Sequence, residues 1–172
     1  MPHIGSIVAL LWLAQATPPV EPLRSIRDVN FQTLTYQIAG QPRALGEDPI
    51  NPDFPHFRGS VYLLSVLIGD LGPDAKEEAA VVIGMDGGGS GRFTFGFLYG
   101  LRNGKPVVLD TFKGGDRADG GIHEVRMDRG LLAVVRNYGQ AACCEDYRET
   151  TWYRWDGKQL RRQRSERRPV TP

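Results

Sequence analysis

The chain of 172 residues has only two cysteines, three histidines and three methionines, and that scarcity narrows the chemistry open to it. The cysteines are adjacent, Cys143-Cys144. Structural zinc sites typically separate their Cys ligands by about two to four residues, and thioredoxin-type motifs place about two residues between theirs, so neither is expected. No apolar run approaches the roughly 20 residues that a membrane-spanning helix takes. Helix-compatible sequence is almost as scarce: 21 Gly and 12 Pro interrupt the chain, and Asp74 to Ala80 is too short to outvote strand-rich flanks. Hydrophobic residues at 41% and charged residues at 24% are ordinary for a soluble domain, and this length is enough for one real core.

Charge is missing altogether from the side chains of Met1 to Ala16 apart from His3, and Ile7 to Leu13 is an unbroken apolar run ending in Ala14-Gln15-Ala16. This pattern predicts a signal peptide over residues 1–16 with an A-x-A cleavage site, and hence a periplasmic or secreted protein. The competing account is a misassigned start or a buried first strand. No Cys follows the run, so lipid attachment there is not expected. Residues 17–24, opening on Thr17-Pro18-Pro19-Val20-Glu21-Pro22, form a proline-rich extended spacer.

What is present reads as strands and turns. Leu34, Tyr36 and Ile38 alternate with Thr35 and Gln37, the signature of a half-buried strand. Pro42, Pro49, Pro52 and Pro55 make Gln41 to Gly59 a long surface loop. Val61 to Ile68 and Ala79 to Met85 are nearly continuous in apolar residues, which predicts burial on both faces. Arg92 to Leu101 places Phe93, Phe95, Phe97 and Tyr99 on one face, as core. Asn103-Gly104 predicts a tight hairpin into Pro106 to Phe112. A turn cluster at Gly114 to Gly121 leads to Ile122 to Met127, and Asp128-Arg129-Gly130 suggests a three-residue hairpin into Leu131 to Tyr138. Glu149 to Trp155, a turn at Asp156-Gly157, and Lys158 to Arg164 complete the pattern. The expected fold is all-β: an antiparallel meander of about eight or nine strands, forming a sandwich or open barrel over residues 25–164.

Formal charge is unevenly spread. Arg161, Arg162, Arg164, Arg167 and Arg168 against Glu166 put +4 in the last dozen residues of a chain whose net charge is +1, leaving −3 for the rest. Residues 165–172 read as a basic, flexible and solvated tail. With export expected, nucleic acid is not an expected partner, an envelope or protein partner is, and the chain is expected to be a monomer.

Several stretches together resemble a widespread group of uncharacterised exported bacterial proteins. They are Asp28-Val29-Asn30-Phe31 with Thr35-Tyr36; Asp70-Leu71 with Asp74, Lys76, Glu78-Ala79 and Val81-Val82; Gly88-Gly89-Ser90-Gly91; Gly115-Asp116-Arg117 with Gly120-Gly121-Ile122; Cys143-Cys144; and Thr151 with Tyr153-Arg154-Trp155-Asp156-Gly157. Their order and spacing cover most of residues 28–160. The resemblance implies export and a β-rich fold, and the group carries no established activity. In that group the turn at Asp70 resembles an Asp-x-Asn-Gly-Asp-Gly-x-x-Glu-Ala loop, similar to extracellular calcium-binding β repeats. Carboxylates at alternating positions with a later Glu can wrap Ca²⁺, which takes about six to eight oxygens. Here Gly72, Pro73 and Ala75 remove an oxygen ligand and the sharp-turn glycine, leaving Asp70, Asp74 and Glu78 as weak ligands and a solvated hairpin as the simpler account.

The remaining constellations point to little chemistry. Gly87 to Gly91 follows a strand, as phosphate-cradling loops do, but it lacks the Lys-Ser/Thr and helix of a P-loop and leads into another strand. Ser90 is not in a G-x-S-x-G elbow. A small secreted hydrolase would have to use Ser90, His123 and an acid such as Asp86 or Asp119, since His56 is the only other histidine after the leader. Cys143-Cys144 is compatible with a strained vicinal disulfide, with two buried thiols, or with pairing to another chain. Trp152 and Arg154 share one strand face, with Tyr153 and Trp155 on the other, and form a candidate binding surface. No catalytic residue and no cofactor is assigned. The expected function is a non-enzymatic binding or envelope-associated module, with the hydrolase and a calcium-stabilised structural module as alternatives.

Overall fold

The structure, a computed structural model, describes residues 21–46, 59–87, 91–116, 119–139 and 146–170. It is all-β, with ten strands in three antiparallel sheets. A hairpin of β1 (Thr35–Ile38) and β2 (Gln41–Ala44) is preceded by two 3₁₀ turns, Ile26–Asp28 and Phe31–Thr33. A central sheet runs in the order β3 (Ser60–Asp70), β4 (Glu77–Asp86), β5 (Arg92–Arg102), β6 (Lys105–Phe112). A C-terminal sheet follows as a second meander of β7 (Asp119–Asp128), β8 (Leu131–Tyr138), β9 (Tyr147–Trp155) and β10 (Leu160–Pro169). The sheets remain open, giving a sandwich rather than a closed barrel.

The central sheet has a core on each face, which is why its sequence does not alternate. Along β4, Ala79, Val81 and Ile83 join Val61, Phe97 and Tyr99 beneath the N-terminal cover of Ile26, Val29, Phe31, Tyr36 and Ile38. Ala80 and Val82 point the other way and join Leu71, Leu98 and Phe112 against Ile122, Leu132, Val134 and Trp155 of the second meander. Water is therefore excluded from both faces of β4, and a strand with no polar face follows from the hydrophobic effect. β3 lies at the sheet edge, and most of its side chains are only half-buried despite an equally apolar sequence. Phe97 and Tyr99 are buried, whereas Phe93 at the end of the aromatic strand is 39% exposed. The cover is fastened by the Tyr36 hydroxyl, which donates to the Phe31 carbonyl; Tyr36 also meets Phe97 and Tyr99 with ring centroids 5.5 and 6.2 Å apart. Burial pushes the Tyr99 hydroxyl up to about 12.

Each edge strand of the two larger sheets contains an irregularity, while the β4–β5 and β8–β9 pairings run in unbroken register. The extra residue is Leu64 on β3, Leu109 on β6 and Gln163 on β10, and β7 shifts twice, once between Asp119 and Ile122 and once at His123. Such bulges interrupt the row of unpaired N–H and C=O groups that would otherwise template another chain.

Four elements differ from the sequence expectation. Part of the proline-rich segment is strand β2, which tolerates Pro42 because it pairs only with β1; residues 47–58 lie outside the described residues. The β1–β2 turn uses Ala39 and Gly40 at φ 50° and 78°, a left-handed pair that Ala does not advertise. Arg129-Gly130, at φ 52° and 74°, is a two-residue turn closing on the Asp128–Leu131 pair, not a three-residue hairpin. Finally, residues 165–169 are not a flexible tail. They continue β10 to Pro169, paired with Tyr147.

Candidate binding site on the outer face of the C-terminal sheet

Strand alternation divides the second meander into two chemically different faces. Ile122, Leu132, Val134 and Trp155 turn inward to the core. The opposite side chains form three rows across the sheet, fixed by the pairing register. Glu124, Val135, Thr150 and Glu166 make the middle row; Arg126, Ala133, Trp152 and Arg164 lie on one side of it, and Asn137, Arg148 and Arg168 on the other. Val135 and Thr150 are short and sit on the two central strands, while the edge strands carry long charged side chains. The result is a basin of about 370 Å³ with Val135 and Thr150 in its floor, Arg148 and Trp152 toward its ends, and Glu124 and Glu166 on its sides. Its size falls in the lower part of the range of small-molecule sites, about 300–1,000 Å³.

The bulge at His123 adds to this face. With one extra residue inserted between Ile122 and Glu124, Ile122 stays in the core while His123 is exposed and lines the basin beside Glu124. Re-aiming one side chain without disturbing the rest of the strand is a characteristic effect of a bulge.

Trp152 is held rather than displayed. It is 5% exposed, its indole N–H donates to Asp128 Oδ2 at 2.6 Å, and the Arg164 guanidinium lies 4.1 Å above the ring. Arg164 is also 3.5 Å from the same Asp128 oxygen. Ring, cation and carboxylate thus form a closed clasp, and only part of the indole reaches the basin. Arg154 shares the outer face and is exposed, but its cross-strand partner is Arg161 and it does not line the basin.

Two exposed ion pairs flank the basin: Arg126 with Glu124 at 3.3 Å, and Arg168 with Glu166 at 2.8 Å. The Arg168 hydrogen bond holds the Glu166 carboxyl below the usual carboxylate range. Solvated pairs of this kind contribute about 0–1 kcal/mol each and can exchange partners readily. Arg148 donates from Nε to Asn137 Oδ1 at 3.2 Å.

The arginines of β10 answer the charge asymmetry of the sequence. Arg161 pairs with Asp156, Arg164 with Asp128, Arg167 with Glu149 and Arg168 with Glu166. Arg162 donates to Ser165. Most of the positive charge is therefore spent along the strand's own hairpin and sheet, not offered as an open basic patch.

On the inner face the structure holds a residue that the sequence reading did not single out. Arg136 is 3% exposed; its Nε donates to the Lys113 carbonyl at 2.7 Å, and its terminal nitrogens reach Thr151 Oγ1 at 3.4 Å and the Tyr153 hydroxyl at 3.3 Å. Among the described residues no carboxylate lies at ion-pair distance from it. Its sequence signal is a charge at the third inward position of Leu132, Val134, Arg136. The role is structural: it ties the segment after β6 to the second meander.

The other sequence-derived candidates lie away from the basin, and three of them, Asp70, Asp74 and Glu78, come together around the turn between β3 and β4. Asp70 Oδ1 accepts from the Gly72 N–H at 3.2 Å, Glu78 Oε2 accepts from the Leu71 N–H at 3.0 Å, and Asp74 pairs with Lys76 at 3.4 Å. Each carboxylate has a partner inside the turn. Burial pushes the Glu78 carboxyl up, opposed by the Leu71 N–H and reinforced by Asp74 and Asp70. Among the described residues no group of three His, Cys, Asp or Glu side chains is arranged to hold a metal ion. Asp86 pairs with Arg92 at 3.5 Å on the central sheet, whereas His123 opens onto the outer face of the other sheet. The Asp119 N–H is bound by Asp116 Oδ1 at 2.7 Å. Ser90, His56, Cys143 and Cys144 lie outside the described residues. Comparison of the chain with protein-family models, with curated proteins and with solved structures gives no match.

Proposed function

We propose that the protein is an exported, non-enzymatic binding module of the bacterial β-rich group that its motifs resemble, and that its ligand surface is the outer basin of the C-terminal sheet. The observation that carries the binding role is the basin itself: a recess walled by side chains in weak, exchangeable ion pairs, on a face that no other part of the described chain covers. The apolar run Ile7 to Leu13 followed by Ala14-Gln15-Ala16 supports export, with the periplasm or the exterior as the destination.

Two measurements test this. Intact mass of the protein recovered after expression from its own start is expected to begin at Thr17; a mass retaining residues 1–16 overturns export. For binding, the chain from Thr17 onward has two tryptophans, Trp152 at the basin and Trp155 in the core, so fluorotryptophan NMR provides a probe and its internal control. A panel of soluble peptides and saccharides is expected to include one that moves the Trp152 resonance saturably and leaves Trp155 in place. Turnover of ester or phosphoester substrates that is lost in His123→Ala would instead favour the hydrolase alternative.

A further inference from the structure

Building on the basin as a ligand surface, we infer that it takes a neutral disaccharide: two linked sugar rings without a charged substituent. The pairing of the basin's own charges carries the inference. Every charged side chain that lines it already has a partner: Glu124 with Arg126, Glu166 with Arg168, and Arg148 with Asn137. A charged ligand therefore has to displace one member of a pair and leave the other without its counter-charge. An apolar ligand strips water from ion pairs whose side chains are 44% to 79% exposed and returns no hydrogen bond. A neutral ligand rich in hydroxyls does neither.

Hydroxyl groups suit these pairs because one hydrogen bond joins each of them, while a carboxylate offers about four acceptor sites and a guanidinium about five N–H donors. A hydroxyl both donates and accepts, so adjacent hydroxyls of a sugar ring meet acceptor and donor side by side and leave the pair closed. The two ends of the basin are chemically alike. On β7 and again on β10 a glutamate is followed two residues later by an arginine on the same face, with Val135 and Thr150 between them. Three inter-strand spacings, about 14 Å, separate these two edge strands, and like ends at that distance match two like rings. The recess of about 370 Å³ lies within the range of small-ligand sites. A peptide strand is served less well: it gains affinity from backbone hydrogen bonds at a sheet edge, whereas the basin lies on a face, where the sheet uses its own.

The test uses the chain from Thr17 onward, labelled with fluorotryptophan and titrated with maltose, cellobiose, glucose, glucuronate and a blocked alanine peptide. At least one of the two disaccharides is expected to shift Trp152 saturably and not Trp155, with glucose and glucuronate each weaker by about tenfold. Its affinity is expected to change by less than about twofold between roughly 50 and 500 mM NaCl, because no net charge is exchanged. Glu124→Gln and Glu166→Gln each open one pair while keeping the side-chain size, and an unmoved Trp155 resonance reports an intact fold. Each is expected to weaken the disaccharide by at least about fivefold and glucose, which needs one end only, by no more than about twofold. Glucuronate binding more tightly than both disaccharides, or an affinity that falls steeply with salt, shows that charge selects the ligand and overturns the assignment. Glucose binding as tightly as the disaccharides, or normal disaccharide binding by both variants, overturns it as well. If the peptide or another ligand of the panel moves Trp152 while neither disaccharide does, this inference fails alone; if nothing moves Trp152, the binding role of the basin fails with it.

Discussion

The two four-stranded meanders have the same connectivity and opposite energetics. The central sheet is apolar on both faces and is held by burial against two cores. The C-terminal sheet is apolar on one face only, and its last strand, β10, is almost wholly exposed and bordered by ion pairs. Equal numbers of hydrogen-bonded strands therefore do not imply equal contributions to stability. Removing water from apolar surface is worth about 25 cal/mol per Å², while an exposed ion pair contributes under about 1 kcal/mol. The sheet with a core on one side only is the one whose other side meets solvent and holds the recess.

The sharpest way to break this contrast is to damage the central sheet. Leu98, with no exposed surface, sits between the sheets, and Leu98→Ala is expected to cost about 3–5 kcal/mol through lost transfer energy and a cavity; urea denaturation measures it. A loss below about 1 kcal/mol would show that the interface between the sheets relaxes around the gap. Arg136→Ala follows, at about 2–3 kcal/mol in the same assay, because it empties a buried site and removes the hydrogen bonds to the Lys113 carbonyl and to the Thr151 and Tyr153 hydroxyls. A near-neutral outcome would mean that the cost of burying the guanidinium offsets its hydrogen bonds. On the outer face, Asp128→Ala opens the clasp on Trp152 and Arg164 and is expected to cost about 1–2 kcal/mol, with the Trp152 indole proton losing its downfield NMR position and that of Trp155 unchanged.

The smallest effect is expected from pH, and its sign differs between two turns. The Asp156 carboxyl is lowered to about 2, first by its hydrogen bond from Arg161 and then by the Gln159 and Lys158 N–H groups. Its folded value lies below the unfolded one, so its stabilisation is present above pH ~4 and is lost as pH falls toward about 2. Glu78 is raised by burial. Its folded value lies above the unfolded one, so its charged form weakens the fold at neutral pH, and stability increases as pH drops through the raised value. Glu78→Gln is therefore expected to raise the melting temperature at pH 7 and to flatten the pH dependence on the mildly acidic side, whereas Asp156→Asn lowers it at pH 7 and flattens the profile near pH 3. A Glu78→Gln variant that melts earlier at pH 7 would show that the Leu71 N–H outweighs the burial of the charge.

Most of the strands were legible because each leaves a local trace. The unbroken apolar run of Ala79 to Met85, the alternation of Leu34, Tyr36 and Ile38, and Asn103-Gly104 at φ 52° and 69° all express constraints that act within a few residues. The face shared by Trp152 and Arg154 was legible for the same reason. Burial of Trp152 was not, because it depends on Arg164 across the ladder and Asp128 in another hairpin. Only the first half of β10 is legible: residues 165–169 read as a tail because an arginine-rich stretch carries little apolar alternation and gains its order from pairing with β9 and from the acids opposite it. β2 was misread because proline excludes central strands but not a strand that pairs on one side only.

The amino-acid sequence alone determined the all-β class, the order of most strands and the positions of several turns, since side-chain alternation and backbone sterics act locally. Only the tertiary structure decided that the edges are bulged, that the C-terminal charges pair within their own sheet, and that Glu124, Thr150 and Glu166 stand in one row. Those outcomes depend on the register between strands, which no single stretch contains, because a shift of one residue turns every side chain to the other face.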